Sequence, residues 1–224
     1  MATEAKRPLH RIAVIGLGYV GLPLLVEFSK LFNATGFDLN GKRIEELIAG
    51  HDRTNEIQNT QQLKSLKCST NTKDIAECNI FIVTVPTPVK RNKNPDLTPI
   101  KSATKLISKI LKPNDIVIYE STVYPGVTEE ICVPILEQYS GLTFNKDFSC
   151  GYSPERINPS DKVHTLTNIT KIISASNKKT LLVLKHIYGS IIKAGVYEAQ
   201  SIRVAEAAKV IENAQRDINI AFVN

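Results

Sequence analysis

Residues 11–28 read RIAVIGLGYVGLPLLVEF, an apolar run, a GxGxxG triplet and a second apolar run. The first run is typical of a short buried strand, and the second has the apolar spacing of a helix. A glycine triplet between a strand and a helix is typical of a dinucleotide-binding turn. Gly16 permits the tight turn, Gly18 lets the backbone approach a pyrophosphate, and Gly21 allows the helix to pack closely on the strand.

An acidic residue follows the glycine triplet at the spacing that such a turn requires. A second strand, predicted over residues 34–38, ends at Asp38, roughly 20 residues after the first glycine, where a carboxylate can bind the ribose hydroxyls of adenosine. This carboxylate would repel a ribose 2′-phosphate, so the pattern favours NAD over NADP. Arg43 means that NADP is not fully excluded, because its guanidinium can neutralise the 2′-phosphate. Alternatively, Arg43 can pack on the adenine.

Short apolar runs then alternate with amphipathic segments. Further strands are predicted over residues 79–85, 115–119, 147–151, 171–174 and 195–198, and helices over 42–48, 98–111, 127–139 and 178–188. This order predicts an α/β fold with a Rossmann-like doubly wound, mostly parallel sheet. One long helix begins near Ser201 and shows no stop signal. We expect a NAD-binding domain over residues 1–198 and the start of a truncated central helix over residues 199–224.

Composition excludes several function classes. Of the 224 residues, 42% are hydrophobic and 22% are charged, which argues against disorder. No apolar run is long enough to cross a bilayer, and residues 1–10 lack the apolar core of a signal peptide, so a cytoplasmic protein without a membrane partner is expected. The net charge of +6 is scattered along the chain, which does not favour a nucleic-acid partner.

The cysteines predict neither a metal site nor a disulfide framework. The chain has four, at Cys68, Cys78, Cys132 and Cys150, and none of them forms a CxxC pair. We interpret them as core thiols.

Four further segments are candidates for a site. Thr87, in VPTP, and Thr122, in ESTVYPG, follow predicted strands and either line a nicotinamide pocket or simply form turns and caps. The loop GYSPERINP, residues 151–159, carries Glu155 and Arg156. On the final helix, Lys209, Asn213 and Arg216 share one face. Such a row can bind an oxyanion and a phosphate, although a solvated face explains it equally well.

Taken together, these segments resemble the UDP-glucose/GDP-mannose dehydrogenase family across essentially the whole chain. The matching stretches are IAVIGLGYVGLPL, VPTP, ESTVYPG, GYSPERINP and AEAAKVIENAQRDINIAFVN. The residues in these stretches are most similar to those of the branch that oxidises UDP-N-acetylhexosamines, such as UDP-N-acetylglucosamine or UDP-N-acetylgalactosamine.

The resemblance implies a four-electron oxidation of the sugar C6 alcohol to a carboxylate at the expense of two NAD. By resemblance, Lys209 and Asn213 stabilise the oxyanion at C6, and Thr122 and Glu155 orient or activate water. The residues implied to hold NAD are Tyr19, Val20, Asp38, Arg43, Thr87 and Thr122, besides the three glycines. The residues implied to contact the UDP-sugar are Glu155, Arg156, Ile157, Lys209, Asn213 and Arg216.

Members of this family attack the intermediate aldehyde with a cysteine in a GG-x-C segment beyond the central helix. None of the four cysteines has that context. We therefore expect that this chain lacks the nucleophile and the C-terminal UDP-binding domain and that it does not turn over. The resemblance also implies that the full-length enzyme is a homodimer joined through the central helix.

Two other interpretations remain open on the residues alone. A β-hydroxyacid or 3-hydroxyacyl dehydrogenase also has a Rossmann start and a lysine–asparagine pair at this spacing, and it needs no cysteine. A non-catalytic dinucleotide-binding module would need neither the lysine–asparagine pair nor the cysteine.

Overall fold

The computed structural model describes residues 10–156 and 166–224. In this part of the chain the strands are β1 Arg11–Ile15, β2 Asn33–Phe37, β3 Lys67–Ser69, β4 Ile80–Val83, β5 Ile116–Tyr119, β6 Ser149–Tyr152, β7 Lys171–Ala175 and β8 Val196–Glu198. The α-helices are α1 Gly21–Ser29, α2 Gly41–Ala49, α3 Thr60–Lys64, α4 Thr98–Ser108, α5 Val133–Ser140, α6 Lys178–Ile191 and α7 Ile202–Val223. A π-helical turn, Val127–Cys132, leads into α5, and short 3-10 turns occur at Thr72–Ile75 and Leu166–Asn168.

Within the described residues the strands form one eight-stranded sheet in the order β3-β2-β1-β4-β5-β6-β7-β8. The pairs from β3 to β6 are parallel. β1 lies between β2 and β4, so the strand order reverses beside it. In open α/β sheets, ligands bind in the crevice outside the carboxyl ends of the strands at such a reversal. The predicted Rossmann-like fold is confirmed.

The sheet is covered by helices on both faces, and each central strand divides its side chains between two cores. In β4, Phe81 and Val83 belong to one core, whereas Ile80 and Ile82 belong to the other. The first core takes its helical side chains mainly from α4 and α5, and the second takes them from α1, α2 and α6. Burial on both faces explains why this strand is uniformly apolar rather than alternating.

Two local features differ from the sequence prediction. β3 and the short α3 before it were not predicted, because three-residue and five-residue elements carry little periodicity. β7 is antiparallel to β6, with Gly151 opposite Ala175 and Tyr152 opposite Ser174. The first residue of β7 therefore lies at the carboxyl edge of the parallel strands, where ligands are expected.

The long final helix is present as α7. Its first turn packs into the core through Ile202 and Ala205, which are almost fully buried. Farther along, Ile211, Ile218 and Phe222 are exposed. Among the helices that the structure describes, none is long and apolar enough to cross a membrane. The predicted domain boundary after residue 198 stays a prediction.

Candidate functional site

The glycine turn has the close backbone packing that its sequence predicts. Gly16 has a φ of 96°, and its amide donates to the carbonyl of Phe37 at 2.8 Å. A Cβ on Gly21 would lie 1.9 Å from the carbonyl oxygen of Gly16, so a side chain there is sterically impossible without moving the backbone. No described heavy atom lies within 4 Å of the corresponding position at Gly18, so space remains beside the turn for a ligand.

Asp38 is held against the glycine turn. Its Oδ2 accepts the backbone amide of Leu17 at 2.8 Å, and its Oδ1 accepts the backbone amide of Asn40 at 2.9 Å. Each oxygen of an ionised carboxylate can accept more than one hydrogen bond. The carboxylate is therefore fixed in orientation while capacity remains for ribose hydroxyls.

Arg43 is buried beneath the turn, with 4% of the residue exposed. Its Nε donates to the carbonyl of Leu17 at 2.8 Å, and one terminal nitrogen donates to Oδ1 of Asp52 at 2.7 Å. Burial alone would raise the pKa of Asp52, but hydrogen bonds from Thr54 and Arg43 outweigh it and lower the pKa. The structure thus gives Arg43 a role in supporting the turn. Its predicted contact with NAD stays a prediction.

One cavity of about 670 Å³ brings most of the predicted site residues together. Its lining comprises Gly16, Gly18, Tyr19, Val20, Asp38, Thr54, Thr84, Val85, Pro86, Thr87, Pro88, Glu120, Ser121, Thr122, Glu155 and Lys209. The glycine turn and the acid lie in the same cavity as the glutamate and the lysine for which catalytic roles are predicted. The cavity can therefore hold an extended ligand that reaches from the turn to Lys209.

The threonines of the two predicted loops lie in this wall. The Oγ1 of Thr87 is buried and has no hydrogen-bond partner within the described residues. Thr122 is exposed to the cavity, and the neighbouring Ser121 fixes its loop by donating from Oγ to the carbonyl of Val85 at 2.6 Å. A buried hydroxyl without a partner is unfavourable, so the Thr87 hydroxyl is suited to a ligand hydrogen bond.

Lys209 projects from α7 into the cavity and is half-buried. Burial lowers the pKa of its ammonium, and the nearby charges of Glu212 and Glu155 offset this only in part. Asn213 lies one helical turn farther along and is also half-buried, whereas Arg216 is exposed. Lys209 and Asn213 are therefore less exposed than residues of a fully solvated face, whereas Arg216 is as exposed as that interpretation expects.

The loop after β6 is tied to α7. The Nε of Arg156 lies 3.1 Å from Oε2 of Glu212, and a second guanidinium nitrogen lies 3.2 Å from Oε1. This ion pair connects the loop that bears Glu155 to the helix that bears Lys209. Ile157, a predicted substrate contact, lies outside the described residues.

A buried charge cluster behind the cavity was not predicted from the sequence. The Nζ of Lys171, the first residue of β7, lies 2.7 Å from Oε2 of Glu120 and 2.9 Å from Oε2 of Glu155. The hydroxyl of Tyr188, from α6, donates to Oε1 of Glu120. The available signal was a lysine opening an otherwise apolar strand, because such a residue needs buried acids as partners.

The residues present fit a dinucleotide. The first turn of α1 has no side-chain cap among the described residues, so its amides can bind phosphate. In the described ranges, no group of three or more His, Cys, Asp or Glu side chains could hold a metal ion. The cavity therefore offers phosphate, ribose and hydroxyl contacts in one continuous site.

Comparison with known proteins gives a consistent match. The model of the NAD-binding domain of the UDP-glucose/GDP-mannose dehydrogenase family matches residues 10–192. The chain is 55% identical over 216 residues to a UDP-N-acetyl-D-glucosamine 6-dehydrogenase of Pseudomonas aeruginosa, covering 96% of this chain and 51% of the relative. It is 51% identical over 216 residues to Protein CapL of Staphylococcus aureus, with the same coverage.

A solved structure shows the same arrangement. The UDP-D-ManNAc dehydrogenase of Pyrococcus horikoshii superimposes with a TM-score of 0.88 at 31% sequence identity, covering 95% of this chain and 52% of that one. The chain spans about half the length of the curated relatives that it matches.

Proposed function

Because the chain belongs to the UDP-glucose/GDP-mannose dehydrogenase family and is similar to its NAD-binding domain, we propose that it holds NAD in the 670 Å³ cavity for a sugar-nucleotide oxidation. The substrate that we propose is a UDP-N-acetylhexosamine, oxidised at C6 from alcohol to carboxylate. The observation that carries this proposal is the cavity itself, which joins Gly18 and Asp38 to Glu155 and Lys209.

The glycine turn and Asp38 hold one end of the cofactor in this proposal. Backbone amides at the start of α1 bind the pyrophosphate, where the helix dipole adds a favourable potential. The Asp38 carboxylate accepts the adenosine ribose hydroxyls. Tyr19, Val20, Thr87 and Thr122 line the remaining path, and Arg43 supports the turn from below. Bound NAD supplies the hydride acceptor.

Lys209 and Asn213 stabilise the charge that develops on the C6 oxygen. An ammonium and an amide held on one helix face are fixed before reaction, so they stabilise an oxyanion without reorganising. The partial burial of Lys209 strengthens this interaction, because screening by water is weaker there. Glu155 and Thr122 orient or activate the water that the second oxidation consumes. Arg156 and Arg216 are proposed to contact the sugar nucleotide.

The second oxidation requires a thiol that this cavity does not contain. All four cysteines lie in the described part of the chain, and none of them lines the cavity. Burial raises the pKa of Cys68, Cys78 and Cys132 to about 11 and raises that of Cys150 well above its usual value. A buried neutral thiol is a poor nucleophile. We propose that the nucleophile lies outside these 224 residues.

Association is proposed to involve α7. Its second half exposes Ile211, Ile218 and Phe222, and a helix with such an apolar surface favours contact with another apolar surface. A homodimer of the full-length protein and a cytoplasmic location stay predictions.

The reaction is tested in the full-length protein with UDP-N-acetyl-D-glucosamine and NAD. We expect two NADH per sugar nucleotide and loss of activity after thiol alkylation. Lys209→Met should lower kcat by about 100-fold with little change in NAD affinity, because the lost interaction acts mainly in the transition state. Lys193→Met, at an exposed lysine, is the matched control. No NADH with UDP-N-acetyl-D-glucosamine, but one NADH per molecule of a 3-hydroxyacid with indifference to alkylation, would instead indicate a hydroxyacid dehydrogenase.

A further inference from the structure

Lys171 lies where the sheet changes direction. In the antiparallel β6–β7 pair, Tyr152 is opposite Ser174. Continuing this register by three residues along each strand brings Lys171 opposite Glu155. A parallel β7 would have carried its first residue to the other edge of the sheet. The reversed strand is therefore what delivers a lysine to the carboxyl edge, directly behind the cavity.

The burial of Lys171 requires both of its acidic partners. Only 4% of the residue is exposed. Burial alone would lower the pKa of this lysine, but the charges of Glu120 and Glu155 outweigh it and raise the pKa. An ammonium removed from water is unfavourable unless it is paired and hydrogen-bonded. Lys171 is consequently a charged group locked between two carboxylates.

The two carboxylates differ in what surrounds them. Glu120 is 2% exposed, and its Oε1 accepts the hydroxyl of the fully buried Tyr188, so it is anchored on the core side. Glu155 lies in the loop that follows β6, and its Oε1 accepts a hydrogen bond from the backbone amide of Arg156 at 2.7 Å. Lys171 thus joins a fixed acid to an acid on a loop, and the latter has a predicted catalytic role.

We propose that Lys171 is a positioning residue, which holds the Glu155 carboxylate in the cavity wall by pairing it with the anchored Glu120. Its consequence for catalysis rests on the proposed function, whereas its consequence for the loop does not. Lys171 itself is buried behind the glutamates, so it acts through Glu155 rather than on a substrate.

A charge-removing double variant separates positioning from simple stabilisation. Lys171→Met alone leaves two carboxylates close together without their shared cation, and it should unfold more easily. Lys171→Met combined with Glu120→Gln removes one charge of each sign and should recover part of that stability. In the double variant Glu155 keeps its chemistry but loses the cation that orients it. Lys185→Met, at an exposed lysine paired with Glu198, is the matched control.

The first measurement is hydrogen exchange at the Arg156 amide in the 224-residue chain, which needs no catalysis. This amide donates to the Glu155 carboxylate. In the double variant that carboxylate is no longer paired with Lys171, so exchange of the Arg156 amide should be faster by about tenfold or more. In Lys185→Met the exchange should be unchanged. Exchange that is as slow in the stable double variant as in the unsubstituted chain would overturn the proposal.

The second measurement is turnover in the full-length protein. The double variant should lose about tenfold or more in kcat, whereas Glu120→Gln alone, which leaves Lys171 paired with Glu155, should lose less. Recovery of stability together with full kcat would show that Lys171 only stabilises the fold, and it would overturn the positioning role. Absence of turnover in the unsubstituted protein would refute the proposed function and leave the exchange result standing.

Discussion

The carboxylate of Glu206, on α7, accepts a hydrogen bond from the backbone amide of Gly126 at 2.6 Å. Its second oxygen accepts the amide of Thr128 at 2.9 Å. Because it accepts both amides, Glu206 caps the helical segment that begins at Val127. The residue is fully buried. Lys209 follows three residues later on the same helix. This contact therefore helps to attach α7 to the domain and to determine where Lys209 enters the cavity.

Replacement of this buried cap should destabilise the fold. Glu206→Gln keeps the shape but can accept only one of the two amides with its oxygen, so we expect a loss of about 2 kcal/mol in the free energy of unfolding. Denaturant titration measures this loss. Glu130→Gln, which removes an exposed partner of Arg203, should cost less than about 1 kcal/mol. Equal effects of the two substitutions would contradict the capping role.

Two glycine substitutions should separate the fold from cofactor binding. Gly21→Ala places a Cβ 1.9 Å from the Gly16 carbonyl oxygen, so it should disturb the turn and lower the melting temperature. Gly18→Ala meets no described atom within 4 Å and should leave the melting temperature unchanged, yet it should weaken NAD binding by about tenfold or more. Calorimetry and thermal unfolding measure both effects. Unchanged NAD affinity in Gly18→Ala would contradict the predicted pyrophosphate contact.

Asp115 gives a pH dependence of stability far from the site. Burial raises the pKa of this carboxyl to about 6, although its Oδ2 accepts the amide of Lys112 at 2.7 Å. An acid whose pKa is raised on folding stabilises the fold below its unfolded pKa, and this contribution is lost as pH rises through the folded pKa. The free energy of unfolding of Asp115→Asn, relative to that of the unsubstituted chain, should therefore rise as the pH increases from 4 to 7. The expected rise is about 1 kcal/mol after allowance for solvent screening.

Chemical denaturation of both proteins at several pH values measures this difference. A relative stability of Asp115→Asn that is constant over the range would show that the carboxyl titrates normally.

The cysteines should be unreactive in the folded chain. Burial raises the pKa of Cys132 to about 11 and that of Cys150 well above its usual value, so little thiolate is present near pH 8. A chromogenic disulfide reagent should label the four thiols slowly in buffer and rapidly in denaturant. Rapid labelling of Cys78, Cys132 or Cys150 in the native chain would identify a reactive cysteine and contradict its assignment as a core residue, whereas Cys68 is only partly buried.

The fold could be predicted because its strongest signals are local. A buried strand, a glycine triplet and an amphipathic helix occur in sequence, and Asp38 follows at a fixed spacing. The direction of β7 could not be predicted in this way, because strand direction depends on which edge of the sheet remains free. The short β3 carried too few residues to show a period.

The candidate site could be predicted only in part for a similar reason. Loops that follow parallel strands meet at one edge, so Thr87 and Thr122 were found from their positions. The partners of charged residues are distant in sequence and leave no local pattern. Lys171 and Glu120 are separated by 51 residues, and Glu206 and Gly126 by 80, so both contacts required the structure.

The most direct test of the cofactor assignment is calorimetric titration of the 224-residue chain with NAD and with NADP. Asp38 is fixed beside the glycine turn and repels a ribose 2′-phosphate, so NAD should bind and NADP should bind at least about tenfold more weakly. Asp38→Asn should reduce the difference in affinity between NAD and NADP. Absence of NAD binding, or equal affinity for the two dinucleotides, would contradict the assignment of this cavity as an NAD site.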